Sequence, residues 1–152
     1  MKLKSLLLAF AALIVSAVSL AAPAVPGQWR AAMGMDGVTM NYSVSDAKGN
    51  LFSIMCGNEP AAITVAINNH EYGPSGWVSN YAKGDFRVNF DGRWWDPSDA
   101  GSNVGGDNFR ATWEAIRAGK KITVKGGKDS MILPVVGAAK VLPANLGKCE
   151  TW

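Results

Sequence analysis

Histidine is almost missing from this 152-residue chain, with one copy at position 70, and cysteine occurs only twice, at 56 and 149. A zinc site draws three or four nitrogen and sulfur ligands from the protein, so one imidazole and one cysteine pair fall short of it. No G-x-S-x-G turn is present, so spacing marks no serine as a nucleophile. Lysine and arginine form no run. The densest basic stretch, Lys120, Lys121, Lys125 and Lys128, flanks a predicted strand and reads as the charge that keeps a strand edge soluble. Nothing in this composition points to nucleic acid or an anionic membrane, and no cofactor or metal is expected. Repeats, low-complexity tracts and a second domain boundary are missing as well.

Long apolar runs are missing everywhere except at the start. Lys2 and Lys4 precede the unbroken run from Leu6 to Val15, then small residues and Ala22-Pro23-Ala24. This is the layout of a secretory signal peptide over residues 1–24, with cleavage after Ala24 or after Ala21. The run is too short to stay in a bilayer as a spanning helix, and no lipobox cysteine follows it. The expectation is therefore a periplasmic or secreted protein of residues 25–152, a single domain with no stable membrane insertion after cleavage. The formal charge of +3 includes two leader lysines; without them thirteen basic residues face twelve acidic ones, for a net charge of +1. In an oxidising compartment the two cysteines are expected to pair as Cys56–Cys149 and tie the C-terminal tail to an early strand.

What remains is rich in alternation. After a lead-in at Val25-Pro26-Gly27-Gln28, Trp29 is the first core anchor, and Val38, Met40, Tyr42 and Val44 alternate with polar residues in a half-buried strand. Asp46–Asn50 forms a turn into a second strand, Leu51–Cys56. Ile63, Val65 and Ile67 define a third. Residues 69–85 carry Gly73, Pro74, Gly76 and Gly84 without a sustained period and read as an irregular excursion holding Trp77 and Tyr81. Asp91-Gly92 then predicts a two-residue hairpin turn that pairs Phe90 with Arg93, Asn89 with Trp94, Val88 with Trp95 and Arg87 with Asp96. Phe86, Val88, Phe90 and Trp95 fall on one face, and Arg87, Asn89 and Trp94 on the other. A helix capped at Asp107 or Asn108 carries Phe109, Trp113 and Ile116 and ends at Gly119. Strands 121–125 and 130–136 follow, joined by Gly126–Asp129, and then a helical turn at 137–142 that Pro143 kinks or ends. The fold class expected is mainly β: a small antiparallel sandwich with two short helices in the C-terminal half and one disulfide.

Residues 109–149 show a short helix, a Gly-Lys turn, a strand, a hairpin, the run Ile132-Leu133-Pro134-Val135-Val136-Gly137-Ala138-Ala139-Lys140-Val141-Leu142 and a late cysteine. In that order the segment resembles the end of the invasion-associated locus B type of exported bacterial protein. The resemblance implies a small, non-enzymatic periplasmic or surface β-sandwich, some of whose relatives serve as secretion accessories or inhibitors. It covers a quarter to a third of the chain, the N-terminal part lacks the family's further cysteines, and it transfers no functional residue.

Three site readings follow from the residues. His70 lies in a polar stretch, where Ser75 or Ser79 and a remote aspartate would be needed for a hydrolase, and nothing in the spacing selects them. Asp91, Asp96, Asp99, Asn103 and Asp107, with Gly101, Gly105 and Gly106, offer calcium-type oxygen ligands without EF-hand spacing, and the same residues are common turn formers. The aromatics lead further. An outward Trp94 beside Arg87 and Asn89, with Trp77 and Tyr81 nearby, forms a binding surface for another exported protein, whose recognition would make this chain an inhibitor, immunity or secretion accessory factor. The alternative is a cell-wall glycan stacked on the same rings. Against both stands the reading that Trp94 packs under the 69–85 excursion or forms a cation-π contact with Arg87.

Overall fold

Alternating apolar residues build the first of two sheets. In a computed structural model that describes residues 25–57, 60–74, 84–98, 100–147 and 149, β1 (Arg30–Met33), β2 (Met40–Ser45), β3 (Leu51–Cys56), β4 (Ala62–Ile67) and β5 (His70–Tyr72) form an antiparallel meander in chain order. The expected leader falls on residues 1–24, outside the described residues, as do Ser75, Trp77, Ser79, Tyr81 and Asp99. β2 begins at Met40 rather than Val38 because the Asp36 carboxylate accepts the backbone N–H groups of Val38 and Thr39 and the Thr39 hydroxyl, which holds both residues in a turn. β1 carries no sequence signal, since all four of its residues are exposed at the sheet edge; its pairing with β2, from Arg30↔Ser43 to Met33↔Met40, defines it.

β5 corrects the reading of residues 69–85 as irregular from their start. Asn68 and Asn69 take φ of 51° and 64°, the left-handed pair of a two-residue hairpin turn, and Ile67 faces His70 across it. Just beyond β5 the Gly84 carbonyl accepts the Gly73 N–H at 3.1 Å. β5 is short, so the first half of β4 finds other partners. Ile63 N–H donates to the Ser98 carbonyl and Ala100 N–H to the Ala61 carbonyl.

The second sheet, in order β7-β6-β8-β9, comprises β6 (Phe86–Phe90), β7 (Arg93–Trp95), β8 (Ile122–Gly126) and β9 (Asp129–Leu133), again all antiparallel. Between β7 and β8 runs α1 (Asn103–Arg117), and a 3₁₀ turn at Ala138–Lys140 follows β9. The protein is thus mainly β, with one α-helix and a 3₁₀ turn as the helical elements among the described residues. The cap of α1 is Ser102 rather than Asp107 or Asn108: its hydroxyl accepts the Gly105 N–H at 3.0 Å, and Gly105 and Gly106 are buried in the first turn. Glycines that read as loop formers therefore lie buried inside a helix. At the other end Gly119, at φ +71°, stops the helix as expected.

One apolar cluster joins both sheets and the helix. Phe52 of β3 meets Phe86 of β6 edge-on at 6.5 Å and Trp29 at 6.2 Å, and Tyr42 of β2 meets Trp113 of α1 at 5.6 Å. Trp29 Nε1 donates to the Pro134 carbonyl at 2.8 Å, fastening the start of the first sheet to the end of the second. The Cys56–Cys149 disulfide is formed, and both half-cystines are buried.

Candidate functional site

The β6–β7 hairpin turns at Asp91 and Gly92, with φ of 52° and 74°, and carries the expected register Val88↔Trp95, Asn89↔Trp94 and Phe90↔Arg93. The fourth expected pair, Arg87 with Asp96, does not form. β7 stops at Trp95, because the Asp96 carboxylate accepts the Ser98 hydroxyl at 2.9 Å and its carbonyl accepts Asn108 Nδ2 at 3.0 Å. Phe86, Val88 and Phe90 are buried as expected. Trp95 is not a core residue: it is half-buried at the edge of the cluster, stacked on Phe90 at 5.3 Å, with the Arg93 guanidinium 4.2 Å from its ring centre. The arginine–tryptophan cation-π contact of this hairpin therefore belongs to Arg93 and Trp95, and Lys120 Nζ lies 5.7 Å from the Phe90 ring centre.

Trp94 lies on the opposite face and is 46 % exposed. The strand order sets its neighbours. Asn89 stands between Trp94 and Thr123, while Arg87 is directly opposite Lys125 on β8. Asp85, Arg87, Trp94, Lys125 and Gly127 line an open cavity of about 340 Å³; Asn89 pairs with Trp94 but does not line it. Trp94 and Arg87 of the sequence-derived set are thus brought together, with Asn89 beside them. Trp77 and Tyr81 lie outside the described residues.

A second group was only half visible in the sequence. Asn68, His70 and Tyr72 alternate across the β4–β5 hairpin and converge on Asp129, the first residue of β9. Tyr72 Oη donates to Asp129 Oδ2 at 2.6 Å, Asn68 Nδ2 donates to Oδ1 at 3.0 Å, and His70 Nδ1 lies 2.7 Å from Oδ2. These bonds, that of Tyr72 foremost, hold the Asp129 carboxyl well below the usual carboxylate range. Burial and the bond to Asp129 push the Tyr72 hydroxyl up to about 12. An ionised Asp129 can only accept, so His70 Nδ1 carries a proton and donates it, which leaves the lone pair of a neutral ring on Nε2. The remote aspartate that the spacing could not select is Asp129, 59 residues away, which stands as an orienting acid to His70. The period-two spacing of 68, 70 and 72 was a readable signal; the partner across the sandwich was not.

Tyr72 also lies flat over the second sheet. A Cβ at Gly126 would stand 2.6 Å from Tyr72 Cγ, so only glycine fits beneath the ring. His70, Tyr72, Gly127, Lys128 and Asp129 line a cavity of about 320 Å³, and Gly127 borders the Trp94 cavity as well. The two depressions adjoin across the β8–β9 turn.

Asp99 of the calcium-type set lies outside the described residues, and its described members have other partners or places. Asp91 in its turn pairs with Lys120, Asn103 and Asp107 belong to α1, and Asp107 pairs with Arg110 at 3.1 Å. Among the described residues no three His, Cys, Asp or Glu side chains converge on a metal position, and no helix is long and apolar enough to cross a membrane.

Two antiparallel sheets, one disulfide and a cationic, tryptophan-bearing depression on the outer face of the second sheet define a small disulfide-tied β protein. Residues 27–142 match the YfjT family model, and the chain belongs to the YfjT family. The match takes in both sheets, α1 and both cavities; it adds nothing to the resemblance of residues 109–149 to invasion-associated locus B proteins. No curated protein and no solved structure matches the chain.

Proposed function

We propose that this protein is exported to the periplasm or beyond the cell and acts there by binding another exported protein, as an inhibitor, immunity or secretion accessory factor, without catalysis of its own. The leader-like start at Lys2–Ala24 and the formed disulfide support the compartment. One observation carries the binding role: Trp94 is 46 % exposed on the outer sheet face, whereas Trp29 and Trp113 are 4 % and 2 % exposed in the core. Truncating an outward indole costs little in folding, and tryptophan beside arginine is the composition of interface hot spots. Affinity capture from periplasmic extract with the oxidised protein should retain a discrete protein that Trp94→Ala loses. Capture unaffected by Trp94→Ala overturns the assignment of this face. Retention of polysaccharide instead would favour a glycan-binding module on the same ring.

The His70–Asp129 pair favours a second reading, a hydrolase with His70 as base and Asp129 as its orienting acid. Against it, no serine, threonine or cysteine among the described residues lines the cavity at His70, and the donors to Asp129 come from the sheet contact it fastens. Hydrolysis assays on peptidoglycan, peptides and esters with wild type and His70→Ala decide between them. A reproducible rate lost only in the variant selects the hydrolase.

A further inference from the structure

Arg87 and Lys125 stand directly opposite each other on adjacent antiparallel strands. Like charges in that position repel and lower sheet stability. Among the described residues the ion pairs are His70–Asp129, Arg110–Asp107 and Lys120–Asp91, so neither cation, nor Lys128 in the next turn, is neutralised there by a pair of its own. Asp85 is the one acid among the described residues that line the cavity at Trp94. In the adjoining cavity the charge of Asp129 is taken up by Tyr72, Asn68 and His70. Together the two depressions wrap the end of the β8–β9 hairpin at Gly127, the first on the outer sheet face and the second on the inner side at Asp129, as a bent trough with more positive than negative charge and an indole at one end.

We propose that this trough takes an extended acidic peptide segment of the partner, with one carboxylate seated between Arg87 and Lys125 and the chain running past Trp94 on one side and over the β8–β9 turn towards Lys128 on the other. The proposal rests on the reading of the Trp94 face as the contact surface. A carboxylate between two opposed cations removes their repulsion and accepts a paired bond from the arginine fork. The Gly126↔Asp129 pairing sets Lys128 level with Gly127 in the turn, two steps of ~3.3 Å or roughly 7 Å along the strand direction from Lys125, within reach of a second acid a few residues further along an extended chain. A lone indole beside uncompensated cations fits a peptide with acids and an apolar side chain better than a neutral sugar, which needs ring faces more than charge.

The test is fluorescence anisotropy of a labelled octaglutamate peptide with the oxidised protein from the periplasm, beside a Gly-Ser octapeptide and an oligogalacturonate of equal carboxylate number. Octaglutamate should bind with an affinity that falls as salt rises, the neutral peptide should not bind, and the oligogalacturonate should bind at least tenfold more weakly. Arg87→Glu and Lys125→Glu should each weaken octaglutamate tenfold or more. Both place opposite charges across the strand pair, so the fold and its melting temperature are kept. Lys140→Glu, on the exposed 3₁₀ turn, should change affinity less than twofold. Equal losses in Lys140→Glu mean diffuse attraction and overturn the proposal, as does equal or tighter oligogalacturonate binding, which assigns the trough to an anionic glycan. If octaglutamate fails while Trp94→Ala still abolishes capture of the exported partner, the acidic ligand falls and the surface stands; if neither responds, both fall.

Discussion

Gly126→Ala asks whether Tyr72 truly locks the two sheets together. Gly126 has no left-handed φ, so alanine is admissible to the backbone and in a strand is intrinsically worth roughly 0.5–1 kcal/mol over glycine. The new Cβ, however, would meet Tyr72 Cγ at 2.6 Å and both Cδ atoms at 2.7 Å. Carbon atoms at rest stand ~3.5–4.0 Å apart, so the ring must retreat by about 1 Å. Tyr72 is 2 % exposed and bonded to Asp129 at 2.6 Å, and that retreat opens the bond to the limit of hydrogen bonding. Overpacking of a full core costs ~1–3 kcal/mol and loss of a hydrogen bond to a charged group ~1.5–3 kcal/mol, so with the intrinsic gain set against them the net destabilisation is about 2–5 kcal/mol. Urea unfolding followed by circular dichroism measures it. In a Tyr72→Ala background the same substitution should cost nothing or stabilise. A cost under about 1 kcal/mol in the wild-type background, or the same cost with and without the Tyr72 ring, refutes the lock.

Replacing both Cys56 and Cys149 by alanine releases a 93-residue link and should cost up to about 4.7 kcal/mol by the chain-entropy model while the far-ultraviolet spectrum keeps its β signature; loss of the sheet would mean the core cannot stand alone. Intact mass of the native protein should be two hydrogens below that of the reduced chain. Trp94→Ala should cost under about 1 kcal/mol, and Trp95→Ala about 2–4 kcal/mol, below the full core range because its ring is only half-buried; equal costs in urea titrations would show that Trp94 is covered. Asp129 has its carboxyl lowered in the fold, so its stabilising contribution is complete above the ordinary carboxylate range and is lost as pH falls below about 4; melts from pH 7 to 2 should show a shallower acid fall in Asp129→Asn, with Asp36, held at about 2, acting in the same range. Tyr72 has the opposite sign: an unfolded tyrosine ionises near pH 10 and this one near 12, so stability drops between those values, and absorbance at about 295 nm should show a late-ionising tyrosine.

The parts of this molecule that sequence made legible are those where a local rule dominates. Asp91-Gly92 sets the β6–β7 register because a left-handed turn of two residues leaves one pairing open, and Trp94 is placed outward by the same step. The two cysteines had one pairing available. What stayed hidden depends on distant partners. Trp95 alternates as a core residue does, yet its strand ends there, at the sandwich edge, because Asp96 is claimed by Ser98 and Asn108. His70 read as a loop residue since Asn68-Asn69 is a weaker hairpin signal than Asn-Gly, and its partner Asp129 belongs to the other sheet. Gly105 and Gly106 read as loop because composition does not distinguish a glycine that bends the chain from one buried in a helix's first turn.

The bond between Gly73 and Gly84 gives the protein a neck. The sheets on either side meet the same closed junction, and closing a flexible loop of twice the length costs only about 0.6 kcal/mol more. Asp85, on the rim of the Trp94 depression, directly follows that neck. A change in the length of the chain between these glycines therefore leaves the junction itself as it is, one residue away from the rim of the Trp94 depression.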